Sequence, residues 1–583
     1  MAPIFKIHPA IGIARVGDSE DYYLAPEEPG GLPLLPDGRP FTPVDFRDAQ
    51  RRLRRQGARF TLLRSEEPGG PEVEVRPGEG GVRRVEWTVH LANKKASWYE
   101  FTVLSGEYGY ASNHPLRNSG IKKRSDREKL IIDPGPRTLD GPGKSAEFDR
   151  KGAPRGYPVN FPPEDLEPCP IHTLGGLRTD AQGRLVVLGG HGRSGSRIRP
   201  ASISDYANND GWFDDTSDGP VTARIVFDDG RVEEAVSSWV MVAPPRYAPQ
   251  LLNLVTLWDT VFDTSVRNMG LRPDIFANSL WNHNYVPSWE RDILPILERA
   301  EHYPWVVAIP PKPHRFELGK LGDPNPEFNG FRHYYLQVVR PPNKPNVLVS
   351  DKTGLTLMPY LLGDNCFVPG PYWSNYLTVT DTQYFFLKQW ADGKFTVGEP
   401  PALARGEALD RAALENCVGG AFSPGIEMTW ISRNPLIYSE PFRLKHRKDI
   451  PAPLSLGLDL QAGLEPGDAC KFMALPWQAD FNECSAEQPQ QDSDRFLFWW
   501  PVQRPLYVYR EHDGRYKQEP WAGTDNDQNA LDYLQFSEDI EMVTKWKYQG
   551  FVYNIGTPER PQFVEVERVP VPKGGPDCGG GDD

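Results

Sequence analysis

Three short segments hold the side chains that could do chemistry. The richest joins Trp477-Gln478-Ala479-Asp480-Phe481-Asn482-Glu483-Cys484 to Phe496-Leu497-Phe498-Trp499-Trp500-Pro501-Val502-Gln503-Arg504-Pro505. On its plain reading this is a loop with a free buried thiol, then an apolar strand ending in an aromatic pair. On its chemical reading a carboxylate, a thiol and an indole converge. Asp480 and Cys484 stand four apart, so one helical turn puts them on the same face. Trp499 follows Cys484 by fifteen residues, enough chain to turn back and bring sulfur to indole.

The second segment is Asn208-Asn209-Asp210-Gly211-Trp212-Phe213-Asp214-Asp215-Thr216-Ser217-Asp218-Gly219-Pro220. It reads as an Asx-rich loop that caps its own backbone, or as a polar pocket lined by four aspartates around two aromatics. The third, Cys417-Val418-Gly419-Gly420-Ala421-Phe422-Ser423-Pro424-Gly425-Ile426-Glu427, reads as a helix C-terminus and a turn, with Glu427 capping or paired. Other chemistries lack support. No G-x-x-x-x-G-K-[ST] occurs, and Gly189-Gly190-His191-Gly192-Arg193-Ser194-Gly195 precedes no helix-like segment, so its glycines read as a tight turn. Neither G-x-S-x-G nor H-E-x-x-H is present, and the histidines show no metal-ligand pair, so no metal is expected. The six cysteines contain no C-x-x-C, and neither a disulfide framework nor a cysteine zinc site reads out of their spacing.

The elements that must position these residues are short. With 54 glycines and 59 prolines, long helices are excluded from most of the chain, and short strands joined by structured loops are favoured. From 1 to 243 the stretches FTLLRSE, VRRVEWTVHLANK, ASWYEFTVLSG, RLVVLGG and ARIVFDDG read as strands of a β-rich domain, with Asp228-Asp229-Gly230 a hairpin turn. Beyond Pro244-Pro245 the period becomes helical through Leu251 to Phe262 and Ile293 to Leu297, which predicts a helical insertion over 244–345. A mixed domain over 346–568 follows, with helices expected from Ala402 to Glu415 and near Gln528 to Lys545, and then a frayed tail over 569–583. The fold expected is α+β, dominated by short antiparallel strands with that insertion in the middle.

A net charge of −14 is the wrong sign for neutralising phosphates, so nucleic acid is not an expected partner. No window approaches the ~18 apolar residues of a membrane span. No basic n-region precedes an apolar stretch at the N-terminus. A soluble chain is expected, cytoplasmic or exported without a recognisable signal peptide.

Four of these stretches occur in family order. The opening IHPAIGIARVGDS, the loop NNDGWFDDTSDGPV, the segment GGAFSPGIE and the pair WQADFNEC and WWPVQRP together resemble the lysine ε-oxidase and glycine oxidase quinoproteins, the LodA-like and GoxA-like amino-acid oxidases. The likeness runs from Phe5 to about Phe551. It implies a protein-derived cofactor, cysteine tryptophylquinone, made by oxidising Trp499 and joining it to Cys484 through a thioether, with Trp500 the competing indole. It implies that Asp480 is needed for cofactor formation and acts as the active-site base. An apolar wall of tryptophan and phenylalanine would raise that carboxyl toward the working range. The reaction implied is oxidative deamination of an amino-acid amine, including one carried on a peptide, with O2 as acceptor and H2O2 and ammonia released. No flavin, nicotinamide or metal enters turnover, although maturation depends on a flavoprotein helper, and a homo-oligomer is implied. Phe213 is similar to the glycine-oxidase type, and the second pocket position falls on Cys417 or His446. A dehydrogenase passing electrons to another acceptor and a catalytically silent β-rich binding protein are the alternatives.

Overall fold

Val85, Trp87 and Val89 are buried, while Arg84, Glu86 and Thr88 alternate with them toward solvent, the period of a strand packed on one face. Repeated along the N-terminal half, that pattern builds one large sheet. The structure is a computed structural model that describes residues 3–102, 110–308, 317–342, 346–366, 368–370, 372–420, 422, 424–483, 486–487, 497–499, 501–525, 533–534, 536–572 and 578.

The main strands are β1 (Ile4–His8), β2 (Ile11–Arg15), β3 (Arg55–Ser65), β4 (Val82–Val89), β5 (Arg137–Asp140), β6 (Ser145–Asp149), β7 (Thr173–Thr179), β8 (Leu185–Leu188), β9 (Ser217–Phe227), β10 (Val232–Glu234) and β11 (Ser238–Ala243). They belong to a thirteen-stranded sheet whose main path runs β5-β4-β9-β11-β2-β3-β8-β7-β6. Most neighbours are antiparallel, as expected, but β11 lies parallel to β2, with Trp239 opposite Ile11. The outermost strands, β5 and β6, lie against each other. Arg137 on β5 donates from Nε to the carbonyl of Glu147 and from Nη2 to that of Asp149, each at 2.7 Å. This guanidinium fills the seam and nearly closes the sheet into a barrel. The Asp228-Asp229-Gly230 turn joins β9 to β10 with Gly230 at φ 84°, where a glycine is needed.

Helices α1 (Leu257–Asn268), α2 (Leu294–His302) and α3 (Asn329–Val338) fall in the expected helical region, and α4 (Asp381–Ala391) and α5 (Arg405–Glu415) follow it. The periodic run from Leu251 becomes helical only at Leu257, because Thr256 and Asp259 form a reciprocal capping box there. A self-contained insertion is not what forms: α1 packs on α4 and α5, and α3 on α4, so these helices make one layer with later parts of the chain.

Three local expectations change. ASWYEFTVLSG starts as a 3-10 turn, Lys95–Ser97, with Trp98 and Tyr99 packed on Phe472 and Tyr110, and residues 103–109 lie outside the described ones. Of the helix expected near Gln528 to Lys545, the described residues show Glu541–Lys545 helical and Tyr533–Leu534 extended, and residues 526–532 and 535 lie outside the described ones. Two described residues of the tail are held: the Val569 N–H donates to the Tyr548 carbonyl at 2.9 Å, and Cys578 is disulfide-bonded to Cys169. That pair is 409 residues apart, a separation with no local spacing signal. Among the described residues no helix is long and apolar enough to cross a membrane.

Candidate active site

Asp480 sits on a short helix, α6 (Trp477–Glu483). Before this helix, the Leu475 N–H donates to the Ala207 carbonyl at 3.0 Å, and Asn209 Nδ2 donates to the Leu475 carbonyl at 3.1 Å. At its first turn Asp214 Oδ2 accepts from the Trp477 N–H at 3.0 Å and from Lys95 Nζ at 2.8 Å, while Oδ1 accepts from Asn93 Nδ2 and Thr216 Oγ1. Lys95 also donates to the Ala474 carbonyl at 3.0 Å, and the Lys95–Asp214 pair is fully buried. At the other end Arg504 Nε donates to the Phe481 carbonyl at 2.6 Å and Nη2 to that of Asn482 at 3.2 Å. A carboxylate at the N–H end and a guanidinium at the C=O end satisfy groups that the helix itself leaves open.

Asp214, Asp215 and Asp218 of the second segment are therefore interior struts, which neither sequence reading anticipated, while Asp210 is exposed. Asp215 packs against the glycine-rich connection that follows β8: a Cβ on Gly190 would lie 2.4 Å from Asp215 Oδ2, and burial pushes this carboxyl up to about 7. Asp218 accepts from Trp239 Nε1 at 3.0 Å and from the Cys470 N–H at 2.8 Å.

Burial also pushes the Asp480 carboxyl up to about 7, with Arg504 and Lys95 opposing the rise and Glu483 adding to it. Tyr206 lies within electrostatic reach of Asp480, Asp364 and Cys366.

Trp499 follows the strand Leu497–Phe498, where Phe498 pairs with Ala486 and bridges Leu361. The chain leaving α6 thus returns beside the residue preceding Trp499. The indole is half-buried, edge-on to Phe422 at 6.4 Å, and packs into the same apolar cluster as Phe481. Phe422 is placed by the third segment. Its Gly419 is pressed so closely on Thr256 that a Cβ would lie 2.0 Å from the Thr256 carbonyl oxygen, and the Gly420 N–H donates to Thr260 Oγ1 at 2.7 Å. Glu427 is paired: it accepts from Arg15 Nη2 at 2.6 Å, from Gln503 Nε2 at 3.3 Å and from the Val418 N–H at 3.1 Å. Hydrogen bonds therefore link the opening motif, the third segment and the WWPVQRP stretch.

Cys484 and Trp500 lie outside the described residues. Of the other predicted site residues, Phe213 is buried in the main core cluster. Cys417 is buried between Arg15, whose Nη2 is 3.9 Å from its sulfur, and the Ala413 carbonyl at 3.2 Å, and burial pushes this thiol up. His446 is half-buried near Trp239 and pushed down to about 4 by burial. Sequence reasoning passed over Lys95, Tyr206 and Cys366, whose thiol shares an apolar cluster with Trp499. It quoted Arg504 inside a motif without a role. The described surroundings suit a cofactor built from side chains: an indole on an aromatic wall, a returning strand beside it, and a buried carboxyl held near neutrality.

Family models for the L-lysine epsilon oxidase N-terminal and C-terminal domains match residues 8–242 and 359–500. An L-lysine 6-oxidase from Marinomonas mediterranea is 36% identical over 526 residues, covering 83% of this chain and 71% of that protein. The crystal structure of the L-Lys epsilon-oxidase from the same organism superposes with a TM-score of 0.84 at 30% identity, over 97% of this chain and 94% of that one. The structure described as its Schiff base intermediate with L-Lys also gives 0.84 at 30% identity, over 97% and 95%. With both domain models matched and the likeness spanning nearly the whole fold, the chain belongs to the L-lysine epsilon oxidase family and is an oxidoreductase acting on an amine.

Proposed function

We propose that this amino-acid oxidase is a quinoprotein whose cysteine tryptophylquinone is made from Cys484 and Trp499, and that it deaminates a primary amine of an amino acid or amino-acid derivative with O2. The balanced reaction is R–CH2–NH2 + O2 + H2O → R–CHO + NH3 + H2O2. The quinone, once formed, supplies an electrophilic carbonyl for the amine and a store for two electrons. The observation that carries the reading is the buried Asp480 carboxyl, pushed up to about 7. A base of that strength takes a proton from the carbon bearing the amine and can give it back near neutral pH. Arg504 and Lys95 keep the carboxyl from rising further, and Phe422 and Phe481 form an apolar wall that excludes water. A flavoprotein maturation helper and a homo-oligomeric assembly belong to the same reading. L-lysine, named for the relatives, is the first substrate to test.

The test is peptide mapping of protein produced with its flavoprotein helper. A single cross-linked, oxidised species containing Cys484 and Trp499 is expected, and both residues unmodified would sink the proposal. Peroxide released on adding amine separates an oxidase from a dehydrogenase that uses another acceptor.

A further inference from the structure

The parallel pairing of β2 with β11 sets Ala243 opposite Arg15, so both strands end at one edge of the sheet, and the chain leaving β11 reaches Arg246 three residues later. Two guanidiniums thereby meet in the interior, Arg15 being 2% and Arg246 4% exposed. Asn416, the residue after α5, touches both. Its backbone carbonyl accepts from Arg15 Nη2 at 3.5 Å, and its Oδ1 accepts from Arg246 Nη1 at 2.6 Å. The Nε of each arginine is buried and has no acceptor among the described residues. Arg15, Arg246, Asn416 and Gln56 line a cavity of about 40 Å³, room for about three waters or one small ion.

The charges around this cavity do not cancel. Arg15 is paired with Glu427 at 2.6 Å, and on the cavity wall Arg59 Nε donates to Glu27 at 3.0 Å. Arg246 has no carboxylate partner among the described residues, its acceptors being the amide oxygen of Asn416 and the carbonyl of Leu251. Burial and the neighbouring Arg15 push this guanidinium down to about 9, so it stays protonated at neutral pH. Burial pushes the nearby Cys417 thiol up, so sulfur supplies no counter-charge. The C-terminal end of α5 offsets about half a unit of charge. The remainder is a buried cation short of its counter-charge, a costly arrangement. A water satisfies a donor and leaves the charge as it is, and a divalent anion overshoots it. A monovalent anion both accepts from the guanidiniums and balances them.

We infer that the cavity between Arg15 and Arg246 is a binding site for a small monovalent anion, a halide such as chloride, held by the two Nε groups. The ion acts on the fold through Arg15. That residue holds Glu427, which also accepts from Gln503 Nε2 at 3.3 Å, so the site secures the junction of the opening motif, the third segment and the WWPVQRP stretch.

Urea unfolding of the full-length protein at constant ionic strength, with chloride replacing gluconate, reads the binding as linkage. Raising chloride from about 5 to about 200 mM should lower the unfolding constant by at least about fivefold in wild type and by less than about 1.5-fold in Arg246→Gln. No response in wild type overturns the inference, and so does an equal response in both proteins, which is the mark of a bulk salt effect. Should Arg246→Gln fail to fold, wild-type crystals grown in sodium bromide decide. An anomalous bromide peak in the cavity, within hydrogen-bonding reach of both Nε atoms, is expected, and a water without anomalous signal at that place overturns the assignment. Neither readout depends on the quinone.

Discussion

Replacing Asp480 by asparagine should make the protein more stable and catalytically dead. The carboxyl rises from 3.8 to about 7 in the folded state, chiefly through burial. Between these values the unfolded chain has lost the proton that the native state keeps, so stability falls as pH rises through this window and levels off above about 7. Taking 1.36 kcal/mol per pH unit, the ionisable group costs about 2 kcal/mol at pH 5 and about 4 kcal/mol at pH 8. Asparagine keeps the shape and removes the titration. Urea unfolding of Asp480→Asn and wild type, both made without the flavoprotein helper so that neither carries a thioether, should show the variant's advantage growing by about 2–3 kcal/mol from pH 5 to pH 8. With the helper, the variant should lack quinone absorbance and turnover, and wild-type kcat/KM should rise with pH through about 7 as the base ionises. A stability difference independent of pH would refute the assigned burial of charge, and normal quinone absorbance in Asp480→Asn would refute the assigned role.

Two further tests address the scaffold. Asp214→Asn leaves Lys95 buried without its counter-charge and should cost about 3–5 kcal/mol in denaturant unfolding. Adding Lys95→Met should recover part of that loss, and a loss under about 1 kcal/mol would show that the pair does not hold α6. Thiol titration of denatured, unreduced, helper-matured protein should find three groups, Cys366, Cys417 and Cys470, with two more after reduction from Cys169 and Cys578. Five groups before reduction would rule out the disulfide.

Much of the site's local geometry is legible in the sequence. The segment that carries Asp480 is helical, α6 running through Asp480 to Glu483, while Cys484, expected one turn on, lies outside the described residues. The β9–β10 turn and α5 lie where local residue preferences put them, whereas Gly189 to Arg193 form a connection to the strand Ser194–Ser196 in place of the expected tight turn. These features rest on backbone periods of 2 and 3.6 and on glycine's freedom, which act over a few neighbours. The extended Tyr533–Leu534, within a stretch expected to be helical, has the same origin, since it pairs with Thr524–Asp525 in a way that no local pattern reveals.

The sequence by itself determined the short strands, the helices' approximate places and the order of four motifs. Only the tertiary structure decided how those motifs are joined. Lys95 meets Asp214 across 119 residues, Arg15 meets Glu427 across 412, and Cys169 meets Cys578 across 409. It also decided that Arg15, Arg246 and Asn416 surround one cavity. Pairings between distant residues leave no period in the chain. They arise because a buried charge or an unsatisfied helix end must find a partner wherever packing of the core brings one.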